Sequence, residues 1–242
     1  MLEPTSLFIL FALIFSAFIK GSLGLGFSTI CLAILVNVID LKTAISIVIL
    51  PSLISNIMVM FEAGNVRISL HTFWLMLLMT IPGMLIGLQL LRQSDNSQSV
   101  TILALVLLIY GCWGWLNRQF QIPKRFIPRL NPFVGLLTGM VNGATGSQIF
   151  PVMPYLLSLN ISKDVLVQTI NISFTLCSLI MLVSLNQLNA LNTASIVTYS
   201  LGILPVMIGV HLGGKIRKRL DQERFKKAVM LLIILLGTLL LF

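Results

Sequence analysis

One cation stands alone in an apolar stretch. Lys20 follows fourteen uncharged residues, Ser6 to Ile19, and the next charge after it is Asp40. An ammonium at such depth in a bilayer costs at least ~2.5–3.5 kcal/mol on insertion scales, so by default it marks a site. The competing reading is a lysine whose stem lies in lipid while its head reaches the interface. The apolar segments carry no carboxylate in their interiors, since Asp40 and Glu62 fall at segment ends. With no permanent counter-charge in the chain, the chemistry expected of Lys20 is attraction of a small anionic substrate.

Glycines follow the lysine directly, in Lys20-Gly21-Ser22-Leu23-Gly24-Leu25-Gly26. Such a run ends one half-helix and starts another, and backbone freed this way must be buried in protein or line a wet cavity. The amide N–H groups at the new helix start, with the positive end of its dipole, form a cradle for anions. Residues Gly24 to Ser28 would supply those amides. A second break, Asn142-Gly143-Ala144-Thr145-Gly146-Ser147-Gln148, would supply them from Gly146 to Phe150. The candidate binding residues are therefore Lys20, Gly21, Ser22, Gly24 and Gly26, with Asn142, Gly143, Thr145, Gly146, Ser147 and Gln148 opposite. Ser28, and the mid-membrane amides Asn56 and Asn171, could join them. For the glycines alone, close helix packing through small residues is an equally good explanation.

Other residues say less. His71 and His211 could relay protons, a role open to histidine in general, but they sit at segment ends, where ordinary interfacial roles are expected. Trp74, Trp113 and Trp115 suit interface anchoring. Cys31, Cys112 and Cys177 are an odd count without CxxC spacing, which argues against a disulfide framework or zinc site. Phosphate-loop, zinc-protease and similar catalytic motifs are missing. The expectation is a protein that is not an enzyme and uses no cofactor or metal.

These residues are carried by a chain of 242 residues that is 57% hydrophobic and 10% charged, against about 25% charged for a soluble domain. Its natural solvent is lipid. The pattern predicts an all-α membrane protein of about eight segments. They run near 6–38, 43–61, 71–91, 100–116, 133–159, 165–185, 194–212 and 228–242. The first and fifth are the broken ones. Glu3 without a basic leader, running into two joined apolar stretches, argues against a cleaved signal peptide. A shift of 122 residues sets Lys20 to Gly24 on Asn142 to Gly146, Ser16-Ala17 on Thr138-Gly139, and Gly87 on Gly209. Pro82 and Pro205 fall one position out of step, and Gly111 meets Gly237 at 126. Two four-segment repeats follow: 1–119 and 132–242, joined by a basic cytoplasmic linker, 120–131.

The net charge of +9 does not indicate nucleic acid, because the basic clusters lie in loops without aromatic interleaving. Seven of the sixteen basic residues lie between Lys215 and Lys227, and four between Arg118 and Arg129. If all eight segments crossed, these two clusters would face opposite sides, against the positive-inside rule. If segments one and five are re-entrant hairpins, thirteen basic residues share one side and two, Lys42 and Arg92, the other. Each repeat then has three crossings, so the repeats are inverted, as in many secondary transporters.

The stretch Phe18-Ile19-Lys20-Gly21-Ser22-Leu23-Gly24-Leu25-Gly26-Phe27 resembles the glycine-rich opening repeat of the sulfite exporter TauE/SafE family. Gly135-Leu136-Leu137-Thr138-Gly139 with Asn142-Gly143-Ala144-Thr145-Gly146 is similar to that family's second copy. This chain departs from the common pattern with Phe27-Ser28 after the first break and Ser147-Gln148 in the second, followed by Pro151 and Pro154. The resemblance implies transport of sulfite, thiosulfate or organosulfonates across the bacterial cytoplasmic membrane, and the inverted repeat adds alternating access as the expected mechanism. An anion channel using the same residues, or a membrane scaffold whose glycines serve packing alone, are the competing readings.

Overall fold

The computed structural model describes residues 4–24, 26–116, 121–187, 202–217 and 222–241. These residues are all-helical, with no strand among them. The helices are α1 (Pro4–Leu23), α2 (Phe27–Leu35), α3 (Leu41–Ala63), α4 (Val66–Gln93), α5 (Asn96–Leu116), α6 (Ile127–Thr145), α7 (Val152–Leu157), α8 (Lys163–Gln187), α9 (Ile203–Arg217) and α10 (Gln222–Leu239). Five of them, α1, α3, α4, α5 and α8, are long and apolar enough to cross a membrane. Large apolar side chains face outward along them, among them Phe11, Leu85, Ile109 and Val183. The interior meanwhile holds Ser16, Ser52, Thr80, Thr138 and Ser173. That inversion of the soluble pattern suits lipid as solvent. Residues 194–201 of the seventh expected segment lie outside the described residues.

Both long segments are broken where the glycines fall. α1 closes with the Gly24 amide donating to the Lys20 carbonyl at 2.6 Å, and α6 closes in the same way, Gly146 to Asn142, at 2.7 Å. Gly24 and Gly146 take positive φ, 85° and 71°, the left-handed cap that glycine adopts without a Cβ penalty. After the second break the chain turns back on itself. The Ile122 amide, ahead of α6, donates to the Ser158 carbonyl, beyond α7, at 2.8 Å. The Tyr155 hydroxyl donates to Asn131 Oδ1 at 2.8 Å. α6 itself starts at Ile127, inside the basic stretch, because Pro128 occupies the first turn, where its missing N–H costs nothing.

The broken helices pack on helices of the other half. α1 lies along α9, and α6 along α4, while α3 meets α8 and α5 meets α10. A Cβ on Gly83 would meet the Leu136 carbonyl oxygen at 2.1 Å, and one on Gly87 the Met140 carbonyl oxygen at 2.2 Å. Gly209 meets Ile14 and Ala17 in the same manner, and Gly213 meets Phe18 and Gly21. Gly83 therefore answers to Gly209 and Gly87 to Gly213, a spacing of 126. This corrects the expected pairing of Gly87 with Gly209. The broken helices themselves keep 122, so the difference of four is about one helical turn. A slip of one turn preserves the face that packs. Gly111 against Ile234 and Gly237 against Leu108 keep the 126 spacing that the sequence indicates.

Helix ends gather in two groups. Glu62 and Ala63 at the end of α3 line one cavity with Lys163 and Asp164 at the start of α8 and with His211 and Lys215 near the end of α9. At the other end of α3, the Leu41 amide donates to Asn96 Oδ1 at the start of α5, at 2.9 Å. Lys42→Cys and Lys163→Cys should thus be labelled by an impermeant maleimide from opposite faces of the membrane. Labelling of both from one face would contradict this arrangement.

Candidate functional site

Lys20 occupies the last turn of α1, and its side chain is 1% exposed. Its Nζ donates to Ser55 Oγ at 2.9 Å and to Asn56 Oδ1. None of these partners is charged. Ser52, Ser55 and Asn56 lie at i, i+3 and i+4 and so share one face of α3. Pro51 just before them offers no N–H to the Ile47 carbonyl, which suits a helix that must present polar groups at mid-membrane.

The second break reaches the same place through Gln148. Its Oε1 accepts from Ser52 Oγ at 3.2 Å and from Asn56 Nδ2 at 3.3 Å. Its Nε2 donates to Ser178 Oγ at 2.8 Å and to the Phe174 carbonyl at 3.5 Å. One side chain thereby joins α3 to α8. The two breaks also touch directly: Ser28 Oγ donates to the Gly146 carbonyl at 2.9 Å, and the Thr29 and Ser147 hydroxyls are 3.0 Å apart.

α2 starts here. Gly26 precedes it with φ 95°, and the first helical bond runs from the Ile30 amide to the Gly26 carbonyl at 3.1 Å. The amides of Phe27, Ser28 and Thr29 therefore precede the helical ladder. Those residues, with Lys20, Asn56, Gln148 and Phe174, wall a niche whose void is smaller than a water molecule. In the second half the helix start comes later, its first helical bond running from the Met153 amide to the Ile149 carbonyl at 3.0 Å. The chain from 146 to 151 is irregular, and α7 begins only at Val152, with Pro151 ahead of it and Pro154 within it. The amide cradle expected from Gly146 to Phe150 is therefore not formed as a helix N-terminus. The Ser147 amide instead donates to Thr145 Oγ1 at 3.1 Å.

A larger cavity, about 810 Å³, leads from Lys20 past Gly21, Gly24 and Val167 to Glu62, Lys163, Asp164, His211 and Lys215. Three lysines line it against two carboxylates, so its formal balance is cationic. Lys20 lies on both the niche and this vestibule.

The remaining candidates divide by role. Gly21 and Gly143 are packing contacts, on α9 and α4. Ser22 bonds to the Phe18 and Gly213 carbonyls, and Thr145 Oγ1 returns to the Val141 carbonyl. Asn171 Nδ2 donates within its own helix, to the Val167 carbonyl at 2.8 Å, while its Oδ1 is unpartnered. Asn142, the counterpart of Lys20, is buried with an unpartnered Nδ2. Ser52, Ser55, Thr29 and Ser178 belong to the site and were not singled out from the sequence. The spacing of Ser52 and Ser55 to Asn56 is the signal that could have found two of them.

The family model described as "Sulfite exporter TauE/SafE" matches residues 8–240, nearly the whole chain. No curated protein and no solved structure matches it.

If Lys20 is kept for function rather than stability, removing its acceptor should harm the fold more than removing the lysine. Asn56→Leu should lower stability by about 1–3 kcal/mol, the usual cost of orphaning a buried polar group. Lys20→Met should cost less, because Ser55 keeps its bond to the Ser52 carbonyl and Asn56 its bond to Gln148. Thermal unfolding in detergent measures both, and the reverse order would make Lys20 a structural residue.

Proposed function

This chain belongs to the sulfite exporter TauE/SafE family, and from that premise we propose that it carries a small sulfur-containing anion (sulfite, thiosulfate or an organosulfonate) across a bacterial cytoplasmic membrane by alternating access. The observation that carries the reading is Lys20, wholly buried, with neutral partners, at the floor of a vestibule. Burying a cation without a counter-charge is costly. An anion that arrives and leaves supplies the charge only when it is bound.

In this mechanism Lys163 and Lys215 raise the local concentration of anions at the mouth, and Glu62 and Asp164 keep the vestibule from holding them tightly. The anion takes the place of Asn56 Oδ1 on the Lys20 ammonium. Its remaining oxygens accept from the N-terminal amides of α2 at Phe27, Ser28 and Thr29, where the dipole also favours negative charge. The niche beyond Lys20 has no space for a water molecule, so admitting the anion requires it to widen, the movement expected of a carrier rather than of an open channel.

The inverted-repeat reading draws support from contacts that recur when the halves are exchanged. The hairpin closed by Ile122 and Ser158 also supports it, together with Glu62 and Lys163 lining one cavity. On that reading the vestibule opens on the side of the thirteen basic residues, which the positive-inside rule makes cytoplasmic.

Proteoliposomes loaded with sulfite, thiosulfate or a sulfonate test the proposal. Lys20→Met should reduce flux about 10–100-fold, the weight of one charge-assisted hydrogen bond of ~1.5–3 kcal/mol. Flux in the wild type should saturate and be stimulated by anion on the opposite side. Unchanged flux of every anion in Lys20→Met would refute the assignment.

A further inference from the structure

Gln148 is fully committed where it stands. A glutamine amide offers two acceptor positions and two N–H donors, and all four are used: two on α3, through Ser52 and Asn56, and two on α8, through Ser178 and the Phe174 carbonyl. It has nothing left for an anion. It projects from the irregular chain between α6 and α7 rather than from a helix, so its backbone is not tied into a helical ladder. Asn56 is the shared member. Its Oδ1 faces the Lys20 ammonium while its Nδ2 faces Gln148 Oε1 and, at 3.5 Å, Ser52 Oγ.

An anion on Lys20 changes what Asn56 can do. Its Oδ1, correct against a cation, would then lie against a negatively charged oxygen. The amide must turn to offer Nδ2 to the anion, and that turn takes away one of the two α3 donors of Gln148 Oε1, leaving Ser52 Oγ, and sets Asn56 Oδ1 against an oxygen of like partial charge. Resting on the anion-site reading above, we propose that Gln148 is a positioning residue. In the empty carrier it straps α3 to α8, and the anion weakens the strap by turning Asn56, which leaves Ser52 as its tie to α3, so that occupation of Lys20 loosens the contact between α3 and α8. The ligand class that does this has at least two acceptor oxygens, one for Lys20 and one for Asn56.

The consequence is separable from simple ligation. A ligand residue lost weakens binding, whereas a strap lost strengthens binding and uncouples it from movement. The test uses purified full-length protein in nanodiscs, with sulfite as the probe, in a Cys112→Ser background carrying Val167→Cys on the α8 wall of the vestibule. Sulfite should alter the maleimide labelling rate at position 167 in the parent. In Gln148→Met, sulfite should bind about fivefold more tightly, the return of roughly one neutral hydrogen bond, and labelling should no longer respond to it. Ser178→Ala, which removes the shorter of the two α8 bonds of the strap and leaves the 3.5 Å one to the Phe174 carbonyl, should move both readouts in the same direction and decides the matter if Gln148→Met is not monodisperse. Loss of sulfite binding in Gln148→Met would overturn the proposal and make Gln148 a ligand. Parent-like binding with labelling that still responds would overturn it as well. Lys20→Met separates the two readings: if it still binds and carries sulfite, the anion site itself is wrong, whatever Gln148 does.

Discussion

An ammonium held out of both water and lipid must be satisfied by the protein around it. The neighbourhood of Lys20 is arranged to that end. Its two acceptors come from one face of α3, and one of them, Asn56, is itself held by Gln148 from the far half of the chain. Neutral dipoles of this kind hold a cation without cancelling its charge. A carboxylate in the same place would have formed a permanent pair, strongly held and useless for binding an anion. On the proposed reading, serine and asparagine in place of aspartate leave the charge of Lys20 free for an anion.

The same constraint explains the break. To bring helix-start amides beside Lys20, the chain must leave the helix within the membrane, and freed backbone has to be covered. The cover is supplied by pairing each broken helix with a glycine-bearing helix of the other half, α1 with α9 and α6 with α4. Gly21 and Gly143 serve this approach, where any side chain would collide with main-chain atoms. The glycines nearest the lysine in sequence are thus divided between two tasks: Gly21 lets helices meet, and Gly24 and Gly26 turn the chain.

On the two-repeat reading the halves keep one plan and differ in what they place at its centre. Lys20 answers to Asn142, and Gly26 to Gln148, both at a spacing of 122. One half provides charge and a helix start, and the other provides an amide that reaches across. The breaks, the lone lysine, Asn56 and Gln148 were legible in the sequence because charges and amides are rare in membrane helices and their cost makes each one informative. Ser52 and Ser55 were not, since serine is common in such helices and satisfies itself on its own backbone. Asn171 stands apart from that cluster, its Nδ2 bonded within α8 and its Oδ1 unpartnered. The register of α4 against α9 was misjudged by one turn, a shift that leaves the periodic pattern of glycines intact. The start of α6 was hidden by its basic residues, although Pro128 marked it.

The most direct measurement is a structure with selenite, a heavier analogue of sulfite whose selenium is located by anomalous scattering. The account requires a peak within hydrogen-bonding reach of Lys20 Nζ, with Asn56 turned so that its Nδ2 faces the ligand. A selenium peak confined to the surface basic clusters, with Lys20 still donating to Asn56 Oδ1, would contradict it.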